Sequence, residues 1–100
     1  MEIKIYSIFD NKAEAFMLPF FMHRDAEAMR AIATTAMDEQ SSIYHHPLDY
    51  TLYRLGVFDN SDGSFVANRD EIGTALYIRK IIGNVNAQPE DNTDEISDET

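Results

Sequence analysis

One hundred residues, 44% hydrophobic and 26% charged, make a single globular domain with a modest core and leave no room for a second catalytic domain. The chain has no cysteine, which excludes a disulfide framework and a thiolate metal site. It has no apolar run near the roughly 20 residues that span a bilayer, and Met1-Glu2-Ile3-Lys4 lacks the pattern of a secretory signal, so a cytoplasmic setting without membrane contact is expected. The net charge of −10 argues against coating duplex DNA with a uniformly basic surface. Much of that charge is concentrated at the end, in Glu90, Asp91, Asp94, Glu95, Asp98 and Glu99, with no Lys or Arg from Asn84 onward, so the body is only mildly acidic.

In chain order, Lys4 to Met22 reads as a β-hairpin with a longer loop, two runs of β-branched and aromatic residues around Asp10-Asn11-Lys12 and Ala13-Glu14-Ala15. The first strand is expected over Ile3 to Phe9. Alternation puts Ile3, Ile5, Ser7 and Phe9 on one face and Lys4, Tyr6 and Ile8 on the other, and the lysine assigns the second face to the outside. The run Phe16 to Met22 is almost continuously apolar, and Pro19 removes a ladder donor, which marks an edge strand or a bulge. Phe16, Phe20 and Phe21 either fill the core or form the edge of a symmetric dimer.

A helix starts near Asp25, read as its N-cap, with Glu27 in the first turn and a buried stripe of Ala28, Met29, Ile32, Ala33, Ala36 and Met37. Its methionines read as core filler. The linker that follows holds His45, His46 and Asp49, but adjacent histidines seldom converge on one ion and the only other histidine, His23, is distant, so no metal site is expected. His46, Pro47 and Asp49 instead shape a loop.

A third strand is expected over Tyr50 to Phe58, with Thr51, Tyr53, Leu55 and Val57 facing the helix and Tyr50, Leu52, Arg54, Gly56 and Phe58 on the other side. Arg54 among aromatics fits a surface that stacks bases and contacts phosphates, or else an arginine paired with an acidic neighbour. Asp59-Asn60-Ser61-Asp62-Gly63 is a turn, and its glycine offset and Asp70 at the twelfth position exclude a calcium loop. A short fourth strand follows near Ser64 to Ala67. From Glu71 to Ile82 the apolar residues fit a helix only loosely; Thr74 to Ile82 also fits a final strand, and a strand near Ala75 to Ile81 is the reading taken. After Gly83 the composition predicts a disordered acidic tail, which either solubilises the protein, competes with nucleic acid for basic groups or recruits a partner.

Ile5, Tyr6, Ser7, Ile8, Asp10, Lys12, Ala13, Glu14, Ala15, Pro19, Phe20 and Phe21 follow the pattern I-Y-S-I-x-D-x-K-A-E-A-x-x-x-P-F-F. Glu27-Ala28, Arg30-Ala31, His46-Pro47, Asp49-Tyr50-Thr51-Leu52, Gly56-x-Phe58-Asp59 and Gly63 continue it in order. In this the chain resembles the small nonstructural protein of the gokushovirus-type microviruses, phages with a single-stranded DNA genome. The resemblance implies a role in the host cytoplasm where genome synthesis turns to single strands and is coupled to packaging.

The residues together predict an α+β fold: an antiparallel sheet of four to five strands with one main helix on one face, residues 1–83 forming the domain and 84–100 the tail. No nucleophile setting or Gly-rich phosphate loop is present, so neither catalysis nor a cofactor is expected. The expected activity is single-stranded DNA binding, with Lys4, Lys12, Arg24, Arg54, Arg79 and Lys80 on phosphates and Tyr6 and Tyr53 stacking on bases. The alternative is a dimeric adaptor that binds the phage replication initiator or a host replication protein without touching DNA.

Overall fold

The computed structural model describes residues 1–87. The elements follow in the order β1 (Glu2–Asp10), β2 (Ala15–Phe16), β3 (Phe20–Met22), α1 (Asp25–Ala36), α2 (Ser42–His45), a 3-10 turn (Pro47–Asp49), β4 (Tyr50–Asp59), β5 (Ser64–Thr74) and α3 (Ala75–Ala87). The strands form one antiparallel five-stranded sheet, with β2 and β3 following one another along one edge of β1, and β4 then β5 on its other side. This is the expected α+β architecture, with a second substantial helix added.

The apolar run Phe16 to Met22 does not make one strand. Pro19 lacks a ladder donor, and the chain leaves the sheet over Met17–Pro19 before pairing again at Phe20. The Ser7 hydroxyl donates to the Met17 carbonyl at 2.6 Å, which ties this excursion to β1. Glu14 closes the β1–β2 turn in the left-handed region (φ 56°), and its amide bonds back to the Asp10 carbonyl.

The facing of β1, and of β4 as far as Arg54, reverses the expectation; beyond the bulge Val57 lies on the helix side and Phe58 on the other, as expected. Tyr6, Ile8 and Leu52 lie in the core beneath the helices, with Ala28, Ile32, Ala33, Ala36, Ile43, Ala75 and Ile78. A lysine on the same face as Tyr6 is tolerated because Lys4 is only half-buried and reaches the His23 carbonyl at 3.5 Å. A β-bulge between Ile5 and Tyr6, opposite Gly56 and Arg54, adjusts the pairing at this point. At Gly56 an added Cβ would lie 2.2 Å from the Val66 carbonyl oxygen, so only glycine fits.

Asp25 is the first residue of α1 rather than its N-cap; Arg24 occupies the cap position without a side-chain bond. Glu27 does the capping instead, its carboxylate accepting from the His23 amide at 3.1 Å. Two further elements depart from expectation. β5 runs to Thr74 rather than stopping near Ala67, and residues from Ala75 form helix α3, not a strand. Ala75, Ile78 and Ile82 recur at helical spacing and seal the core beside α1. The Thr74 hydroxyl accepts from the Tyr77 amide at 3.2 Å and so caps the helix. Gly83 lies within α3, which extends to Ala87, and the expected disordered tail otherwise lies outside the described residues.

Candidate nucleic-acid interface

The helices cover one side of the sheet only. Alternation along β1 assigns Ile3, Ile5, Ser7 and Phe9 to the other side, and their paired partners Phe58, Tyr53 and Thr51 of β4 go with them, Phe58 by way of the bulge at Leu55. The edge strands extend this side with Phe16, Phe21 and Phe65. The rings meet in two clusters. Phe16 packs edge-on against Phe9 (5.0 Å between centroids) and Tyr53 (5.3 Å). Phe58 contacts Phe21 (6.0 Å) and Phe65 (5.1 Å). Phe16 is 38% exposed, Phe21 50% and Phe65 67%, and Leu18 in the Met17–Pro19 excursion is 90% exposed. A small chain that leaves this much aromatic surface in water has a use for it or a partner on it.

The charged residues of β1 and β4 alternate to the opposite side, where they are largely occupied. Arg54 donates from one guanidinium nitrogen to Asp25 Oδ2 at 2.6 Å and from the other to Asp70 Oδ2 at 2.9 Å. The Tyr6 hydroxyl donates to Asp25 Oδ1 at 2.5 Å. Burial, and then the bond to Asp25, push the Tyr6 hydroxyl far above its ordinary range. Burial alone would raise the Asp25 carboxyl, but the bonds from Tyr6 and Arg54 outweigh it and hold the group below the usual carboxylate range. The same two carboxylates hold Arg54 above its ordinary value.

The eight residues expected to bind DNA therefore do not form one strip. Tyr6 is fully buried and stacked on Phe20 at 5.8 Å, so its ring cannot receive a base. Arg54 takes the alternative the sequence left open, an arginine paired with acidic neighbours. Arg79 donates to the Ala36 and Tyr44 carbonyls at the ends of α1 and α2 and lies 5.6 Å over the Tyr44 ring, which makes it a clamp between helices. Lys12 pairs with Asp49 at 3.6 Å in an exposed position. Arg24 and Lys80 are exposed and on separate elements. Only Tyr53 belongs to the open aromatic side.

Phe9, Phe16, Phe21, Phe58 and Phe65 were missed as a group, because strict alternation puts Phe58 on the opposite side to Tyr53 and only the bulge at Leu55 brings the two to one side. A cavity of about 460 Å³ lined by Met37, Tyr44, His45 and Arg79 lies among the helices, away from these rings. Among the described residues there is no cluster of three or more metal-ligating side chains and no helix long and apolar enough to cross a membrane.

No curated protein and no solved structure matches the chain. The sequence model of the Phage ORF5 protein family matches residues 3–78, from the first residues of β1 into α3. The match takes in the whole sheet, both sides of it, and the Tyr6–Asp25–Arg54–Asp70 network; the chain belongs to the Phage ORF5 family and is a phage protein.

Proposed function

We propose that this phage protein is a non-enzymatic binder of single-stranded DNA that works in the host cytoplasm during genome synthesis or packaging, and that its DNA lies on the open aromatic side of the sheet. The observation that carries the reading is the pair of ring clusters, Phe9–Phe16–Tyr53 and Phe21–Phe58–Phe65, on a sheet face without helices. Bases stack on such rings without regard to sequence, each stack contributing on the order of 1–3 kcal/mol. Phosphate contacts come from the rim. Lys12 can exchange its solvent-exposed partner Asp49 at little cost, and Arg69 on the edge strand β5 is exposed. The resemblance to the nonstructural protein of single-stranded DNA phages supports the same reading.

A second reading, an adaptor for the phage replication initiator or a host replication protein, is favoured by one observation: Arg54 and Arg79 are engaged within the fold, in a chain of net charge −10. Fluorescence anisotropy of a labelled single-stranded oligonucleotide at two salt concentrations separates the two. Binding that weakens with salt, and strengthens in a chain ending at Ala87 because Glu90 to Glu99 no longer compete for the cations, is the expected result. No binding by either chain at low salt and tens of micromolar protein would leave the adaptor.

A further inference from the structure

We propose that Leu18 is a wedge that parts two neighbouring bases of the bound strand, so that single-stranded DNA lies on the open side as two short stacks rather than one. The inference rests on the DNA reading above and specifies how that site takes its ligand. Ser7 alternates to the side of the sheet without helices, yet it is fully buried. What covers it is the Met17–Pro19 excursion. The Ser7 hydroxyl donates to the Met17 carbonyl at 2.6 Å, and the Met17 amide donates to the Ile8 carbonyl at 2.8 Å. Both backbone polar groups of Met17 are thus fixed to β1, and Pro19 holds its own φ. On this fixed backbone Met17 is 47% and Leu18 90% exposed. A lone exposed leucine is ordinary on a protein surface. One carried on an anchored backbone, with half-exposed Phe16 and Phe21 to either side, is a preorganised apolar ridge.

The ridge stands between the two ring clusters. Phe9, Ser7, Ile5 and Ile3 follow one another on the open side of β1; Phe16 pairs with Phe9, Phe21 with Ile5 and Phe58 with Ile3. From Phe9 to Ile3 is about 20 Å at about 3.3 Å per residue. That is the length of about six bases stacked about 3.4 Å apart. A strand that stacks on both clusters must therefore cross the excursion above Ser7, and an apolar side chain entering a base step unstacks it. Because the ridge is held in place beforehand, little ordering is needed when the strand arrives. Glu71, the cross-strand partner of Tyr53, puts a carboxylate beside the first cluster. It repels phosphates there and leaves the bases to meet the rings.

The test uses the full chain and a single strand of about eight adenines with one 2-aminopurine near the middle, a base whose emission is quenched while it is stacked on its neighbours. Anisotropy reports binding, and emission at saturating protein reports unstacking. The unsubstituted chain should raise the emission at least twofold. Leu18→Ala, at an exposed position outside the core, should bind within about tenfold of the unsubstituted chain and lose the rise, whereas Leu18→Met should keep it. Binding by the unsubstituted chain without a rise, or a rise that Leu18→Ala leaves intact, overturns the wedge and leaves the DNA reading standing. No binding by the unsubstituted chain overturns the DNA reading, and the wedge falls with it.

Discussion

Asp25 is where one substitution should reveal most about what holds the fold together. Its two carboxylate oxygens serve different elements, one accepting from Tyr6 on β1 and the other from Arg54 on β4. Asp25→Ala leaves the hydroxyl of a fully buried tyrosine without a partner, which costs about 1–3 kcal/mol. Arg54 loses less, because it is partly exposed and keeps Asp70, so that part is discounted to about 0–1 kcal/mol. The expected total is about 1–4 kcal/mol in urea unfolding. Tyr6→Phe alone should cost about 1 kcal/mol, since water reaches the carboxylate it abandons. The double variant leaves no orphaned hydroxyl, so the two costs should fall short of adding by about 1–2 kcal/mol. Additivity within about 0.5 kcal/mol would refute the claim that the Tyr6 hydroxyl depends on Asp25.

The same network sets both limbs of the pH profile. The folded state lowers the Asp25 carboxyl, so its contribution is complete above the unfolded value near 3.8 and is lost as pH falls through the folded value. Tyr6 is shifted upward, so its contribution is complete below its ordinary value of 10.0 and fades as pH rises beyond it, and Tyr6→Phe should flatten that alkaline decline in urea midpoints. Gly56→Ala drives a methyl group against the Val66 carbonyl oxygen, a backbone atom that cannot turn aside. It should cost about 3 kcal/mol, read from thermal or urea unfolding. Glu14→Gly relieves a left-handed residue at φ 56° and should stabilise by about 0.5–1 kcal/mol in the same assay.

Much of the fold could be read in the chain because local signals agreed. The β1 run, the α1 stripe, the β4 run and the turn at Asp59–Gly63 each carry their own pattern. Gly63 takes the left-handed conformation at φ 76° that the turn requires. Facing was not legible, because β1 has apolar residues on both sides and the lysine taken to settle the matter finds a partner in the His23 carbonyl on the helix side. α3 was misread for a related reason: Ala75 to Ile82 is rich in β-branched residues, and its helical form is fixed by packing on α1 and by the Thr74 cap. The candidate site suffered most from the facing error. Tyr6 and Arg54 look like a stacking ring and a phosphate contact when placed outside, and form a buried tyrosine and an ion pair once the face is turned inward.

The central claim is that the open aromatic side binds single-stranded DNA. The most direct measurement is oligonucleotide anisotropy with the unsubstituted chain and with Phe16→Ala/Tyr53→Ala, which removes two rings of one cluster while leaving the helix side untouched. The account predicts salt-sensitive binding by the first and at least a tenfold loss by the second, as expected from the loss of one or two base stacks. Equal affinity for both chains, or no binding by the unsubstituted one, would contradict it.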